Sequence, residues 1–289
     1  GIWLPKLIEH GEFGEDTHRL NGHTQAQLLT VSGATIDRLL KPTRDGMRLT
    51  GISGTRPGPL LRTSITVRKA GDEHEQTPGF CEIDLVLHCG PTLKGEFCRS
   101  LTVTDVHTGW TENIALRNGA HRWVLEAMPI IEARLPFRLV GIDSDNGGEF
   151  INEALISWAG ERDLFFTRAR PYHSNDNAHV EQKNGDVVRR HAFHYRYDTP
   201  VELRLLNELY ALVRVKLNLF TGTTKAIGYR TNRNGKNVRV YDKPRTPYQR
   251  VLDSGVLTPA KTAELAALFD TVNPADLTRG IIRIQTKLI

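Results

Sequence analysis

The 289-residue sequence predicts an α/β fold: a mixed sheet flanked by helices, with a small helical region before it and a basic, partly helical region after it. Two observations carry that expectation. Three β-type runs follow one another near residues 80–88, 97–104 and 110–116, and helical and extended patterns then alternate up to residue 219. Strands joined by short turns pair antiparallel, whereas strands joined through a helix pair parallel, so this order gives one sheet with both kinds of neighbour.

The first element, from Ile2 to Glu9, begins as though in mid-helix and reads as part of a fragment that lacks upstream DNA-binding helices. Thr24 to Leu29, Val31-Ser32-Gly33 and Ala34 to Lys41 then read as helix, tight turn and helix. Ser32 is a suitable cap, and Leu28, Leu29, Ile36, Leu39 and Leu40 form an apolar stripe. The second helix presents Thr35 and Arg38 outward, to a DNA groove or to solvent. Residues 42–78, rich in Gly, Pro, Thr and Arg, read as a mobile basic linker. The chain therefore divides into residues 1–45 (helix-turn-helix-like), 46–75 (linker), 76–222 (the α/β core) and 223–289 (the basic region).

Inside the core, Phe80-Cys81-Glu82-Ile83-Asp84-Leu85-Val86-Leu87 is a strand, and an ionised carboxylate within such a run needs compensation, for example by a cation. A helix from about Ala120 to Arg134, a strand near 138–143, a helix near 149–160, the strand Leu164–Thr167 and helices near 178–192 and 200–219 follow. Asp145 closes the apolar run from Arg138 to Ser144 and leads into Asn146-Gly147-Gly148, which places it at a strand's C-terminal end, where open α/β sheets bind ligands. Glu181 follows the turn-rich stretch 171–177 and lies in the first turns of a helix. Residues 223–250 read as irregular or hairpin, and 258–289 as mostly helical.

Three acids supplied by a strand, a strand end and a helix suit Mg²⁺, which takes oxygen ligands and keeps several waters. Two such ions can activate an attacking oxygen and stabilise a leaving one at phosphorus without a covalent protein nucleophile. Taken singly, Asp84 is also compatible with an edge-strand residue, Asp145 with an Asx turn and Glu181 with a solvated helix face.

Taken together, Asp84, Asp145-Asn146-Gly147 and Glu181, with 35 residues between the second and third acids, resemble the D, D-35-E signature of retroviral-type integrases and related bacterial insertion-sequence transposases. Thr108-Gly109-Trp110, Asn146-Gly147-Gly148-Glu149-Phe150, Arg170-Pro171-Tyr172 and Val180-Glu181-Gln182-Lys183-Asn184 strengthen the resemblance, which spans roughly residues 76–222. It implies a ribonuclease H-like fold. It also implies that Asp84, Asp145 and Glu181 are catalytic and bind two Mg²⁺ or Mn²⁺ ions, and that the protein works as a homo-oligomer on DNA, processing mobile-element 3′ ends and joining them to target DNA. A metal-dependent nuclease of the same fold, or an inactive remnant that only binds DNA, remain the alternatives.

Arg168, Arg170, Tyr172 and His173 before Glu181, and Lys183, Arg189 and Arg190 after it, are candidate DNA contacts, as are Thr35 and Arg38. Asp143 is a decoy two residues before Asp145, and Asp105, in Thr-Asp-x-x-Thr-Gly, suits a structural turn. Gly185 departs from the aromatic residue that such proteins often carry and weakens a helix by about 1 kcal/mol relative to alanine.

The composition is that of a globular chain, 39% hydrophobic and 25% charged, and no apolar run reaches membrane-spanning length. The net charge of +5 is unevenly spread: basic residues outnumber acidic ones from Ala34 to Lys69 and from Gln182 to Arg250, as a polyanionic partner requires. Cys81, Cys89 and Cys98 match no zinc module, and His18 and His23 have no Cys-x-x-Cys behind them, so no structural zinc is expected. A cytoplasmic protein, at the nucleoid when bound to DNA, is the expectation.

Overall fold

The computed structural model describes residues 3–45, 66–67, 76–144, 150, 152–168, 178–232 and 235–289. In chain order its elements are helices α1 (Trp3–Glu9), α2 (Gly22–Thr30) and α3 (Gly33–Asp45); strands β1 (Thr66–Val67), β2 (Phe80–Leu87), β3 (Arg99–Asp105) and β4 (Thr111–Leu116); and helix α4 (His121–Arg134). Strand β5 (Gly141–Ser144), helix α5 (Glu153–Gly160) and strand β6 (Phe165–Arg168) come next, then helices α6 (Ala178–Lys183), α7 (Arg190–Ala192) and α8 (Pro200–Phe220). The chain ends with strands β7 (Ala226–Thr231) and β8 (Asn237–Tyr241) and helices α9 (Pro247–Ser254), α10 (Pro259–Thr271) and α11 (Pro274–Leu288).

The first six strands form one mixed sheet in the order β1-β6-β5-β2-β3-β4. β2, β3 and β4 are an antiparallel meander, while β5, β6 and β1 add in parallel on the other side of β2. This is the expected ribonuclease H-like order, with β2 and its Asp84 at the centre. Thr66 and Val67, within the stretch expected to be linker, pair with Thr167 and Arg168; the rest of 46–75 lies outside the described residues.

Alternation along β2 sorts its side chains. Cys81, Ile83 and Leu85 join Val124, Met128, Ile131, Leu155 and Trp158 in the core beneath α4 and α5. Glu82, Asp84 and Val86 face the other side, where Val86 packs with Val187, Val188, Tyr210, Val213 and Ile281. Asp105 has the structural role expected of it: its carboxylate accepts from the Gly79 amide (2.7 Å), the Thr108 amide (2.7 Å) and the Thr108 hydroxyl (2.5 Å). Burial raises its pKa while these bonds oppose the rise. Gly79 is required there, because its φ is +123° and a Cβ would lie 2.5 Å from the Arg138 carbonyl oxygen.

Helix α8 opens with a Thr199/Glu202 capping box and Pro200 in its first turn, then runs along the free edge of β4. Asn218 accepts from the Thr111 amide and donates to its carbonyl, both at 2.9 Å. Asn207, three helical turns earlier, does the same for Ala115 at 3.0 and 3.1 Å. The edge strand is thus closed by side-chain amides rather than left as a template for pairing. Asn218→Ala is expected to leave a buried N–H and C=O unpaired and to destabilise the chain by about 2–4 kcal/mol, measured by urea denaturation. A loss under about 1 kcal/mol would show that the edge needs no such cover.

Helices α9, α10 and α11 each begin with an N-cap and a proline: Thr246-Pro247, Thr258-Pro259 and Asn273-Pro274. α11 lays Ile281, Ile284 and Leu288 against α8, and α1 docks on this C-terminal assembly. Trp3 Nε1 donates to the Phe220 carbonyl (2.7 Å), Lys6 Nζ to the Asp270 carbonyl (3.0 Å), and Arg279 pairs with Glu12 at 2.7 Å. α1 belongs with the C-terminal helices, whereas Leu28, Leu29, Ile36, Leu39 and Leu40 of α2 and α3 are all exposed. Ser32 does cap α3, accepting from the Thr35 amide at 3.2 Å. Among the described residues no helix is long and apolar enough to cross a membrane.

Candidate active site

The site is built on the second face of the sheet. Register places Glu82 between Thr104 on β3 and Asp143 on β5, and Asp84 beside Thr102. Asn113, next to Thr102 across β4, donates to its hydroxyl at 2.9 Å, so the floor beside Asp84 is buried and polar.

Two bonds tie helix α6 across β2. The Val180 amide, in the helix's first turn, donates to Glu82 Oε2 at 2.9 Å, and Asn184 Nδ2 donates to Asp84 Oδ2 at 2.5 Å. Residues 180 and 184 are one helical turn apart, and 82 and 84 share one face of the strand, so the two bonds fix the orientation of the helix that carries Glu181. Asp84 Oδ1 also accepts the Leu85 amide at 2.7 Å. Partial burial raises the Glu181 carboxyl above its ordinary range, although the residue as a whole is exposed.

Sequence reasoning missed Glu82 and Asn184. The signal for Glu82 was an acid two positions before Asp84, on the same face of a strand whose other face is wholly apolar. Asp145 lies outside the described residues; β5 ends at Ser144, which pairs with Ile83. Asp143 is bound within the sheet, accepting the Thr167 hydroxyl at 2.5 Å.

Among the proposed DNA contacts, Arg170, Tyr172 and His173 lie outside the described residues. Arg168 ends β6 with 9% exposure, and Lys183 is 6% exposed, its pKa lowered to about 8, mainly by burial. Arg189 is half-buried and Arg190 exposed, the latter paired with Asp186 at 3.0 Å. Arg38, exposed on α3, donates to the Thr35 hydroxyl at 3.2 Å.

Gly185 does not break the helix. α6 continues through a π-helical segment, Asn184–Arg189, into α7, which covers the expected span 178–192. Such segments concentrate at functional sites. A Cβ on Gly185 would meet nothing within 4 Å, so Gly185→Ala is expected to stabilise the protein by up to about 1 kcal/mol, read as a rise in thermal midpoint. A fall would show that the π segment needs glycine's freedom.

Among the described residues no three acidic, His or Cys side chains gather into a metal-holding group, but carboxylate and amide oxygens such as those of Asp84 and Asn184 are the donors a hard divalent cation takes. Beside the Asp84 carboxylate, Asn184 Oδ1 is buried without a hydrogen-bond partner among the described residues, an acceptor that a cation would satisfy.

No family model matches the chain. Over 251 residues it is 37% identical to the uncharacterized protein y4rM of Sinorhizobium fredii, an alignment covering 86% of this chain and 69% of the relative. The chain belongs to the y4rM family. No activity comes with that kinship, so function in the y4rM family is argued from the site itself. A solved structure, the catalytic core domain of BIV integrase, matches 61% of this y4rM-family chain and 95% of its own length, at 16% identity and a TM-score of 0.39, a likeness too slight to rest an argument on.

Proposed function

We propose that this protein is a DNA transposase or integrase of the DDE type. Asp84, Asp145 and Glu181 would hold two Mg²⁺ or Mn²⁺ ions, which would supply activation of the attacking oxygen and charge neutralisation at phosphorus. The observation that carries the reading is the double tie of α6 to β2, which joins the Asp84 strand to the Glu181 helix across the centre of a ribonuclease H-like sheet.

The protein's own groups do the positioning. Asn184 fixes one Asp84 oxygen, and Glu82 anchors the start of α6 by accepting an amide that the helix itself cannot satisfy. Thr102 and Asn113 give the floor beside Asp84 buried polar groups. Water would attack at an element end to free a 3′-hydroxyl, and that hydroxyl would attack target DNA. Arg168, Arg170, Tyr172, His173, Lys183, Arg189, Thr35 and Arg38 remain proposed DNA contacts, and the working form is a homo-oligomer bridging two ends in the cytoplasm.

The test is strand joining by purified protein in Mg²⁺ or Mn²⁺, with the element's terminal DNA and a plasmid target, beside Asp145→Asn and Glu181→Gln. Joined products that vanish in both variants support the proposal. Cleavage without joining replaces it with a nuclease, and DNA binding with neither activity replaces it with a binding remnant.

A further inference from the structure

The β7–β8 hairpin stands apart from both cores. Of the described residues in its strands all are exposed except Val240, which is intermediate, with Ile227 at 66% and Tyr229 at 68%. A two-stranded ribbon with its strands this exposed among the described residues is marginal on its own in water, so its order has to come from its ends.

The root supplies it. The Asp242 amide donates to the Lys225 carbonyl (2.9 Å), the Lys225 amide to Asp242 Oδ1 (2.6 Å), and Arg250 clamps Asp242 (2.7 Å) and the Thr223 carbonyl (2.8 Å). Lys225 Nζ reaches back to the carbonyls of Val106 and His107 on the β3–β4 turn. One acid of the ribbon, Asp242, is consumed in this root, and the sequence from Ala226 to Tyr241 contains no other Asp or Glu.

Beyond the root the exposed charge is all positive. Register puts Tyr229 opposite Arg239, and Tyr241 lies two residues further along the strand on the same side, so one face carries a Tyr–Arg–Tyr row. Arg230, paired with Val238, carries charge on the opposite face, and Lys236 carries it at the turn. Cations on both faces and at the end suit a groove walled by phosphates on both sides better than a flat surface. The major groove of duplex DNA, about 12 Å wide, admits a two-stranded ribbon.

We infer that the β7–β8 hairpin is a DNA-binding ribbon that enters a groove of duplex DNA, with Arg230, Lys236 and Arg239 on the phosphates and Tyr229 and Tyr241 on the groove lining. The inference goes beyond the catalytic reading: it uses neither the acids nor a metal. The partly buried Arg250–Asp242 ion pair and the hydrogen bonds of the root hold the ribbon out, and the phosphate contacts give affinity without sequence preference.

The test uses the full chain, a fluorescent duplex of random sequence and EDTA, with affinity measured over a series of salt concentrations. The variants are the triple Arg230→Gln/Lys236→Gln/Arg239→Gln and the double Tyr229→Leu/Tyr241→Leu, all at exposed positions away from the root. Each phosphate contact contributes about 0.9 to the slope of log affinity against log salt, so the triple variant is expected to lose between about two and three from that slope and at least about tenfold in low-salt affinity. The double variant is expected to lose several-fold in affinity with the slope kept. Wild-type affinity and slope in both variants would overturn the inference. So would lost self-association with DNA affinity unchanged, which would assign the ribbon to a second copy of the chain. Because no turnover is read and no metal is present, either result is independent of whether the acids are catalytic.

Discussion

Asp84→Asn and Glu181→Gln are each expected to reduce metal-dependent strand joining by about 10³-fold or more. Loss of a ligand that neutralises charge at a transferring phosphoryl group forfeits several kcal/mol, and each 1.36 kcal/mol is roughly tenfold in rate. Activity alone does not separate a lost ligand from a lost fold, so metal binding is the second measurement. A ligand bound only by the native state at about 100 times its Kd adds about 2.7 kcal/mol to stability. Mn²⁺ should therefore raise the thermal midpoint of the wild type and fail to raise that of either variant, while the midpoints without metal stay close together. Asp143→Asn makes the discriminating control, because Asp143 accepts from Thr167 inside the sheet and an amide oxygen can do the same. Equal loss at Asp143 and at Asp145 would move the site one level down the strand and sink the assignment.

How much of this was legible in the sequence depends on the range of the forces involved. The strands and helices of the core follow local periodicity, so β2, β3, β4, α4 and α8 lie close to where the apolar runs put them. The hairpin was foreseen as one of two alternatives, because the Asn-rich, Gly-containing stretch near 232–237 fits a turn but does not say whether anything packs against it. What could not be read were contacts between distant segments. Trp3 bonding to Phe220 and Glu12 to Arg279 depend on how α11 settles on α8, and no pattern within residues 1–12 encodes that. The two asparagines along β4 are spaced by three turns of α8, but an asparagine in a helix is equally suited to solvent until the strand edge is known to be there. At the site, the spacing of acids was visible, whereas the Glu82 and Asn184 ties were not, since both are strand-to-helix bonds across about 100 residues.

Arg214→Met is expected to cost about 3 kcal/mol of stability, because it strands a carboxylate in the interior. Glu112 on β4 is 0% exposed, and Arg214 on α8, 24% exposed, grips it with two bonds of 2.7 Å each. Trp110 Nε1 adds a third donor at 2.9 Å, and Arg214 also reaches the Arg134 carbonyl at the end of α4 at 3.3 Å. Removing one member of a buried pair leaves an uncompensated charge and costs about 3–5 kcal/mol; the partial exposure of Arg214 lets water reach the remaining carboxylate and argues for the lower end. The double variant Glu112→Gln/Arg214→Met removes the charge as well and keeps an oxygen for Trp110, so it should recover more than half of that loss, measured as the shift in urea midpoint at constant slope. An Arg214→Met midpoint within about 1 kcal/mol of wild type would mean that the carboxylate is solvated or protonated, and that α8 is held to the sheet edge by Asn207, Asn218 and apolar packing alone. The pair lies on the opposite face from Asp84, so below its unfolding midpoint the variant should join strands at the wild-type rate per folded molecule, which separates what holds this sheet together from what it does.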